Sequence, residues 1–373
     1  MKILYLITED WYFCSHRLPL ASSARDSGYE VVVATRVQNH GSQIQESNLI
    51  LSPISMRRRS KNPLSELKTI VELIKLYRYE QPDLVHHVAL KPVLYGSIAA
   101  LVTKTPVCVN AIAGLGFVFS SRNWRAKLLK PVIRLLFRIL LNRAHSSVIL
   151  QNPDDCKMLV NAGILEADHV ALIRGSGVDL RQFSVEAEPS GLPVVLLASR
   201  MLWDKGVGEF VAAVKRLRRE GVQARFVLVG DGDRDNPASI SDSQLHQWQD
   251  DGVIEWWGRR DNMPEVLAQA HIVCLPSYRE GLPKVLLEAA ACGRPIVTTD
   301  APGCREIVRD GENGLLVPVC DEVALAQAIK RLIDNPKLRK QMGLQGREIV
   351  EREFSLEQVI EETLSLYRKL LKK

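Results

Sequence analysis

Two glutamates in the stretch REGLPKVLLEAAACGRPIV (279–297), Glu280 and Glu288, lie eight positions apart across a Gly-Leu-Pro turn and the start of an apolar helix. Upstream, RMLWDKG sets Arg200 and Lys205 just beyond an apolar run, with Gly206 opening the next helix-like segment. Two cations beside a helix N-terminus suit a diphosphate, because point charges and oriented amides both favour anions. Two carboxylates near a diphosphate would repel it unless they engaged hydroxyls. Glu280 can reach a neutral hydroxylated group beside the phosphate, and Glu288 can accept from a vicinal diol such as a ribose. A sugar nucleotide meets both demands. The competing reading is a helix-capping glutamate, a solvated glutamate and two surface cations.

Other candidates are weaker. Asp231-Gly232-Asp233 has the form of a metal-binding D-x-D, but Asp and Gly are also what a turn requires, and a turn is the better reading. His86-His87 would face opposite sides of a strand, which argues against a two-histidine metal site. No metal or cofactor is expected.

These residues need a scaffold that ends strands and starts helices at one place. KILYLIT, EVVVAT and PDLVHHV alternate with helical patterns at 17–28 and 64–80, and the alternation restarts at PVVLLAS, ARFVLVG, HIVCLPS and RPIVTTD. Such alternation predicts parallel sheets covered on both faces. The fold class is therefore α/β, with two doubly wound, Rossmann-like domains facing across a cleft, and ligands bound at the carboxyl ends of strands. EAEPSGLP (186–193) marks the boundary. The expected domains are 1–184 and 185–355, with a helix at 356–373 returning to the first.

The 373 residues are 46% hydrophobic and 25% charged, an ordinary globular composition. No apolar run is long enough to span a bilayer, and Glu9 and Asp10 interrupt the first apolar stretch too early for a signal core. Seven scattered cysteines without a C-x-x-C pair argue against disulfides or zinc and for a reducing compartment. Residues 1–184 hold 23 Lys/Arg against 14 Asp/Glu, whereas residues 185–373 hold 26 against 29. The first half thus faces something anionic. RNWRAKLLKPVIRLLFRILLNRAH (122–145) places Lys127, Lys130, Arg134 and Arg138 on one stripe, which suits an anionic membrane surface better than a plain outer helix. No nucleic-acid-binding motif is present.

The ordered series SRMLWDKG, FVLVGDGD, SYREGLPKVLLEAAACGRPIV and APGCREIV with NGLLVP resembles the retaining family-4 glycosyltransferases of GT-B fold. The resemblance implies that Arg200, Lys205 and Glu280 act in catalysis. It implies a donor site of those three with Gly230, Gly281, Leu282, Pro283, Lys284 and Glu288, in a metal-independent enzyme that uses a UDP-sugar as substrate. The first half looks like bacterial enzymes that extend glycans on a polyprenyl diphosphate, through SHRLPLA (15–21), ALKPVLYGSIAA (89–100) and AGLGFVF (113–119). It implies acceptor contacts from His16, Arg17, Lys91, Gly114 and Gly116, and a peripheral enzyme on the cytoplasmic face of the cell membrane. Ala113 stands where many members have a histidine, so His16 is a candidate to take over part of that role. Two rivals remain: a UDP-N-acetylhexosamine 2-epimerase of similar architecture, and a non-catalytic basic protein that binds lipid or nucleic acid.

Overall fold

The computed structural model describes residues 1–58, 62–112, 114, 134–233 and 236–372. It divides into two compact units, Met1–Ser176 with Val359–Lys373, and Gly177–Gln358. The first division falls before the acidic Pro/Gly stretch, because Val178 and Phe183 are already buried in the core of the second unit.

The first unit holds a seven-stranded sheet of β1 (Lys2–Glu9), β2 (Glu30–Arg36), β3 (Ile50–Pro53), β4 (Leu84–Val88), β5 (Val107–Ile112), β6 (Ser146–Leu150) and β7 (Val170–Leu172). Their order is β3-β2-β1-β4-β5-β6-β7, and every pairing is parallel. The central strands are covered on both faces: β4 and β5 are buried throughout, including His86, His87 and Asn110. Such burial is what a parallel sheet covered on both sides demands. The stretch after β1 differs from the single helix expected at 17–28. A separate helix, Asp10–His16, comes first, and Arg17 stands between it and the helix Leu18–Asp26. The buried Asp10 holds this turn by accepting from the amides of Trp11, Gln38 and His40 at 2.6–2.9 Å. The last helix, Leu356–Leu371, buries Val359, Leu364, Tyr367 and Leu370 in this unit's core.

The second unit repeats the plan with β8 (Val194–Ala198), β9 (Arg225–Val229), β10 (Glu255–Trp256), β11 (Ile272–Leu275), β12 (Ile296–Thr299) and β13 (Gly314–Val317). Their order is β10-β9-β8-β11-β12-β13, again all parallel. The chain winds outward from β8 to one edge and then returns to add β11 on the other side. In a sheet of this order the crevice that takes ligands lies between β8 and β11 at their carboxyl ends, where the connections diverge.

Candidate functional site

The crevice gathers residues distant in sequence because β8 and β11 are neighbours. β8 delivers Arg200 and Lys205; β11 delivers Ser277, Glu280 and the turn into the helix Lys284–Ala291. The two loops are in contact. Gly206, at φ 74°, lies so close to Pro276 that a Cβ would sit 2.0 Å from the Pro276 carbonyl oxygen. The Tyr278 amide donates to the Asp204 carbonyl at 3.0 Å, and Ser277 Oγ lies 3.2 Å from the same oxygen. On this support Lys205 Nζ forms an ion pair with Glu280 Oε1, and Ser277 Oγ donates to that same oxygen at 2.7 Å. Both charged side chains are mostly buried.

Arg200 reaches across to the loop after β9 and donates to Asp233 Oδ2 at 2.6 Å. The Asp-Gly-Asp segment is irregular backbone whose carboxylates tie loops together: Asp231 accepts from the Arg259 amide and Asp233 from Arg200. Among the described residues no group of three His, Cys, Asp or Glu side chains is placed to hold a metal. Gly230 closes β9 at φ 128°, where a Cβ would meet the Ser199 carbonyl at 1.9 Å. Only glycine lets β9 pass this close to the root of Arg200.

Pro283 caps the helix Lys284–Ala291 rather than lying in its first turn, and Gly281, Leu282 and Pro283 are all buried. One turn into the helix, Glu288 is 6% exposed, which excludes a solvated surface glutamate. Burial pushes its carboxyl pKa up, against the pull of Lys284, whose Nζ lies 3.2 Å away. A buried carboxylate with one partly exposed partner keeps unused acceptor capacity, which is what a diol needs. Ser277 and Asp233 were missing from the sequence-derived site. Ser277 carried a signal, since it is the first polar residue after β11. Asp233 carried none beyond its turn chemistry.

In the first unit, β1, β4 and β5 are adjacent, so His16 and Arg17, Lys91, and Gly114 follow neighbouring strand ends. Their states differ. His16 stacks on Tyr12 with ring centroids 4.2 Å apart, and its Nδ1 lies 2.5 Å from Ser15 Oγ. Arg17 is 3% exposed, and its Nε has no hydrogen-bond partner among the described residues. Lys91 Nζ is held by Glu66 at 2.8 Å and by the Arg57 carbonyl, so it could serve an anion only by exchanging partners. Gly116, Ala113, Lys127 and Lys130 lie outside the described residues. The paired histidines point to opposite faces, as their alternation requires. His86 meets Tyr367, whereas His87 lies between Tyr77 Oη at 3.0 Å and Asn110 Oδ1 at 2.7 Å. Burial lowers both pKa values, that of His87 to about 4, so both rings are neutral packing residues.

The chain matches two family models, "Glycosyl transferase 4-like" over residues 2–152 and "Glycosyl transferases group 1" over residues 192–335. It is 30% identical over 336 residues to the N,N'-diacetylbacillosaminyl-diphospho-undecaprenol alpha-1,3-N-acetylgalactosaminyltransferase of Campylobacter jejuni, covering 87% of each chain. It is 24% identical to the UDP-Gal:alpha-D-GlcNAc-diphosphoundecaprenol alpha-1,3-galactosyltransferase of Escherichia coli, covering 83% of this chain and 81% of the relative. Anabaena HepE, solved with UDP and glucose, superposes with a TM-score of 0.81 at 20% identity over 99% of this chain and all of that one. The chain belongs to the family-4 glycosyltransferases, built from a 4-like and a group 1 half, and is a glycosyltransferase of GT-B fold.

Proposed function

We propose that this glycosyltransferase moves a sugar from a UDP-sugar to a saccharide carried on a polyprenyl diphosphate, with retention of configuration and without a metal. The observation that carries the donor half is the contact of Lys205 with Glu280, backed by Ser277, in the loop that leads into the helix carrying the buried Glu288. The donor diphosphate takes Lys205 and Arg200, the sugar hydroxyls take Glu280, and the ribose diol takes Glu288. As the sugar–phosphate bond breaks, negative charge grows on the leaving UDP, and the two cations, drawn onto the diphosphate from Glu280 and Asp233, stabilise it. In a front-side transfer the departing phosphate oxygen accepts the acceptor's proton, which removes the need for a histidine at position 113. Gly230 lets β9 approach the diphosphate, and Gly281 to Lys284 form the turn and helix start beneath it.

The acceptor half rests on the first unit. The two relatives named above act, by their names, on undecaprenyl-diphosphate-linked sugars. Arg17, a buried cation whose Nε lacks an acceptor among the described residues, suits an anionic acceptor head together with its chain neighbour His16 and with Lys91, which lies just beyond the adjacent strand β4. Gly114, just beyond β5, belongs to the same acceptor side. The enzyme works on the cytoplasmic face of the cell membrane as a peripheral protein that meets an anionic surface. In support, Arg134, Leu135, Leu136, Arg138 and Ile139 are all exposed in one short segment. A 2-epimerase finds no counterpart among these relatives.

The test is incubation with a panel of UDP-sugars and a short-chain polyprenyl-diphosphate glycan in the presence of EDTA, following UDP release and product mass. Acceptor-dependent sugar addition is expected. Lys205→Ala and Glu280→Ala should each lower kcat by about 100- to 1,000-fold. Near-normal turnover in either variant would remove the basis of these roles, and turnover of the UDP-sugar alone to an epimer would replace the proposal.

A further inference from the structure

We infer that the helix Pro63–Glu80 is a bilayer-docking surface whose exposed face lies on an anionic lipid leaflet. Counted from Leu64, the residues Leu67, Lys68, Val71, Lys75 and Arg78 follow at three, four, seven, eleven and fourteen positions, which puts all six on one helical stripe. Every one is exposed. Leu64 is 76%, Leu67 59% and Val71 43% accessible, and Tyr79 at the far end is 84% accessible. A helix that merely covers a sheet buries its apolar residues; this one buries Thr69, Leu73 and Tyr77 on its other side and leaves a second apolar stripe outside.

The charges on the helix are sorted by sign. Its three acids all bond inward to their own unit: Glu66 to Lys91, Glu72 to the Ser55 amide at 3.0 Å, and Glu80 to Lys2 at 2.9 Å. Lys68, Lys75 and Arg78 enter no ion pair among the described residues and share the stripe with the exposed leucines. An acidic protein or a nucleic acid would use the cations but not the apolar tips. An anionic bilayer uses both, with leucine and valine in the acyl boundary and the cations at the headgroups. No helix of the described residues is long and apolar enough to cross a membrane, so the contact lies in the interface plane.

The stripe also lies at a useful end of the unit. The helix connects β3 to the parallel strand β4, so it runs back against the strands and its first turn lies at their carboxyl ends. The Glu66–Lys91 pair fixes this directly, joining that first turn to the start of the helix Leu90–Thr103, three residues beyond β4. The inference deepens the lipid-linked acceptor proposed above and rests on it: docking by Leu64 and Leu67 brings the bilayer beside the acceptor residues.

The experiment is flotation of the full chain with phosphatidylcholine vesicles with and without phosphatidylglycerol. Three triple variants are compared with the unmodified chain: Lys68→Gln/Lys75→Gln/Arg78→Gln; Leu64→Ser/Leu67→Ser/Val71→Ser; and, as a charge-matched control on the second unit, Lys215→Gln/Arg219→Gln/Arg331→Gln. At roughly 1 kcal/mol per basic residue, the first variant should bind anionic vesicles about a hundredfold more weakly. The serine variant should weaken binding to both vesicle types, and the control should bind normally. All three should melt and transfer sugar to a short soluble acceptor like the unmodified chain. Equal loss in the control, retained binding in both stripe variants, or an oligonucleotide captured as tightly as vesicles would overturn the inference while leaving the transferase reading intact. Failure of the unmodified chain to bind any vesicle would sink the peripheral-membrane reading together with this surface, and transfer to the soluble acceptor would still be judged separately.

Discussion

Glu288→Gln separates a binding role from a structural one. The side chain is 6% exposed, and burial raises its pKa despite Lys284 nearby. A ribose diol would donate two hydrogen bonds to the carboxylate. Hydrogen bonds to a charged acceptor are worth about 1.5–3 kcal/mol each and to a neutral one about 0.5–1.5, so the amide should cost roughly 1–3 kcal/mol, or about 5- to 150-fold in the Kd of UDP. Calorimetric titration with UDP and with 2′,3′-dideoxy-UDP checks it: the variant should weaken UDP and leave the dideoxy analogue nearly unchanged. Stability should move the other way. A carboxyl whose folded pKa lies above its unfolded value destabilises the fold once it ionises. The wild-type penalty is therefore absent below the unfolded carboxylate range near pH ~4.3, grows as pH rises to the folded pKa, and stays above it. Glu288→Gln should melt higher than wild type at neutral pH, with the gap closing toward pH ~4, since Lys284 is exposed enough that losing its partner costs only about 0–1 kcal/mol. Equal weakening of both nucleotides would refute the diol contact, and so would no weakening of either.

Gly206→Ala should destabilise the chain by about 3 kcal/mol or more, because its φ of 74° is joined by a Cβ position 2.0 Å from the Pro276 carbonyl oxygen. Gly252→Ala, at φ 67° with nothing within 4 Å, isolates the backbone cost at about 1–2 kcal/mol, and thermal melts of the two should differ accordingly. Glu188→Gln breaks a bidentate pair in which Arg339 donates at 2.7 and 2.8 Å, and should cost about 3–5 kcal/mol at pH 7. Burial opposes ionisation of Glu188, but Arg339 outweighs it and lowers the pKa; the contribution is present above the usual carboxylate range and lost as pH falls through the folded pKa, so acid titration of stability should bring the two proteins together.

The convergence of Arg200, Lys205 and Glu280 was legible because these residues follow single strand ends. Arg200 and Lys205 after β8, and Glu280 after β11, are adjacent in any sheet that places those strands side by side. The pairings within the site were not legible. That Asp233 answers Arg200, or that Glu66 holds Lys91 from 25 positions away, depends on loops meeting in space. The two alternating patterns foretold two parallel sheets but not the separate helix Asp10–His16, whose one buried carboxylate orders three loop amides. On the helix at 63–80, periodicity alone could not show that Leu64, Leu67 and Val71 lie on the outside. Both stripes of that helix are apolar, and only packing distinguishes them.

The pairing of charges in the second unit bears on how a donor is selected. Before any donor arrives, Lys205 is neutralised by Glu280 and Arg200 by Asp233. A diphosphate that drew Lys205 away would strand Glu280, only 11% exposed and left with the Ser277 hydroxyl alone. An uncompensated carboxylate in such a place is costly. A sugar hydroxyl delivered to Glu280 at the same moment removes that cost, because the carboxylate exchanges an ammonium donor for hydroxyl donors. The two charges are therefore coupled by their own ion pair: a nucleotide alone, or a sugar alone, satisfies one side of the exchange and leaves the other unmet. On the donor reading proposed above, the site discriminates for the intact sugar diphosphate through the bond it must break to open, as well as through the bonds it forms.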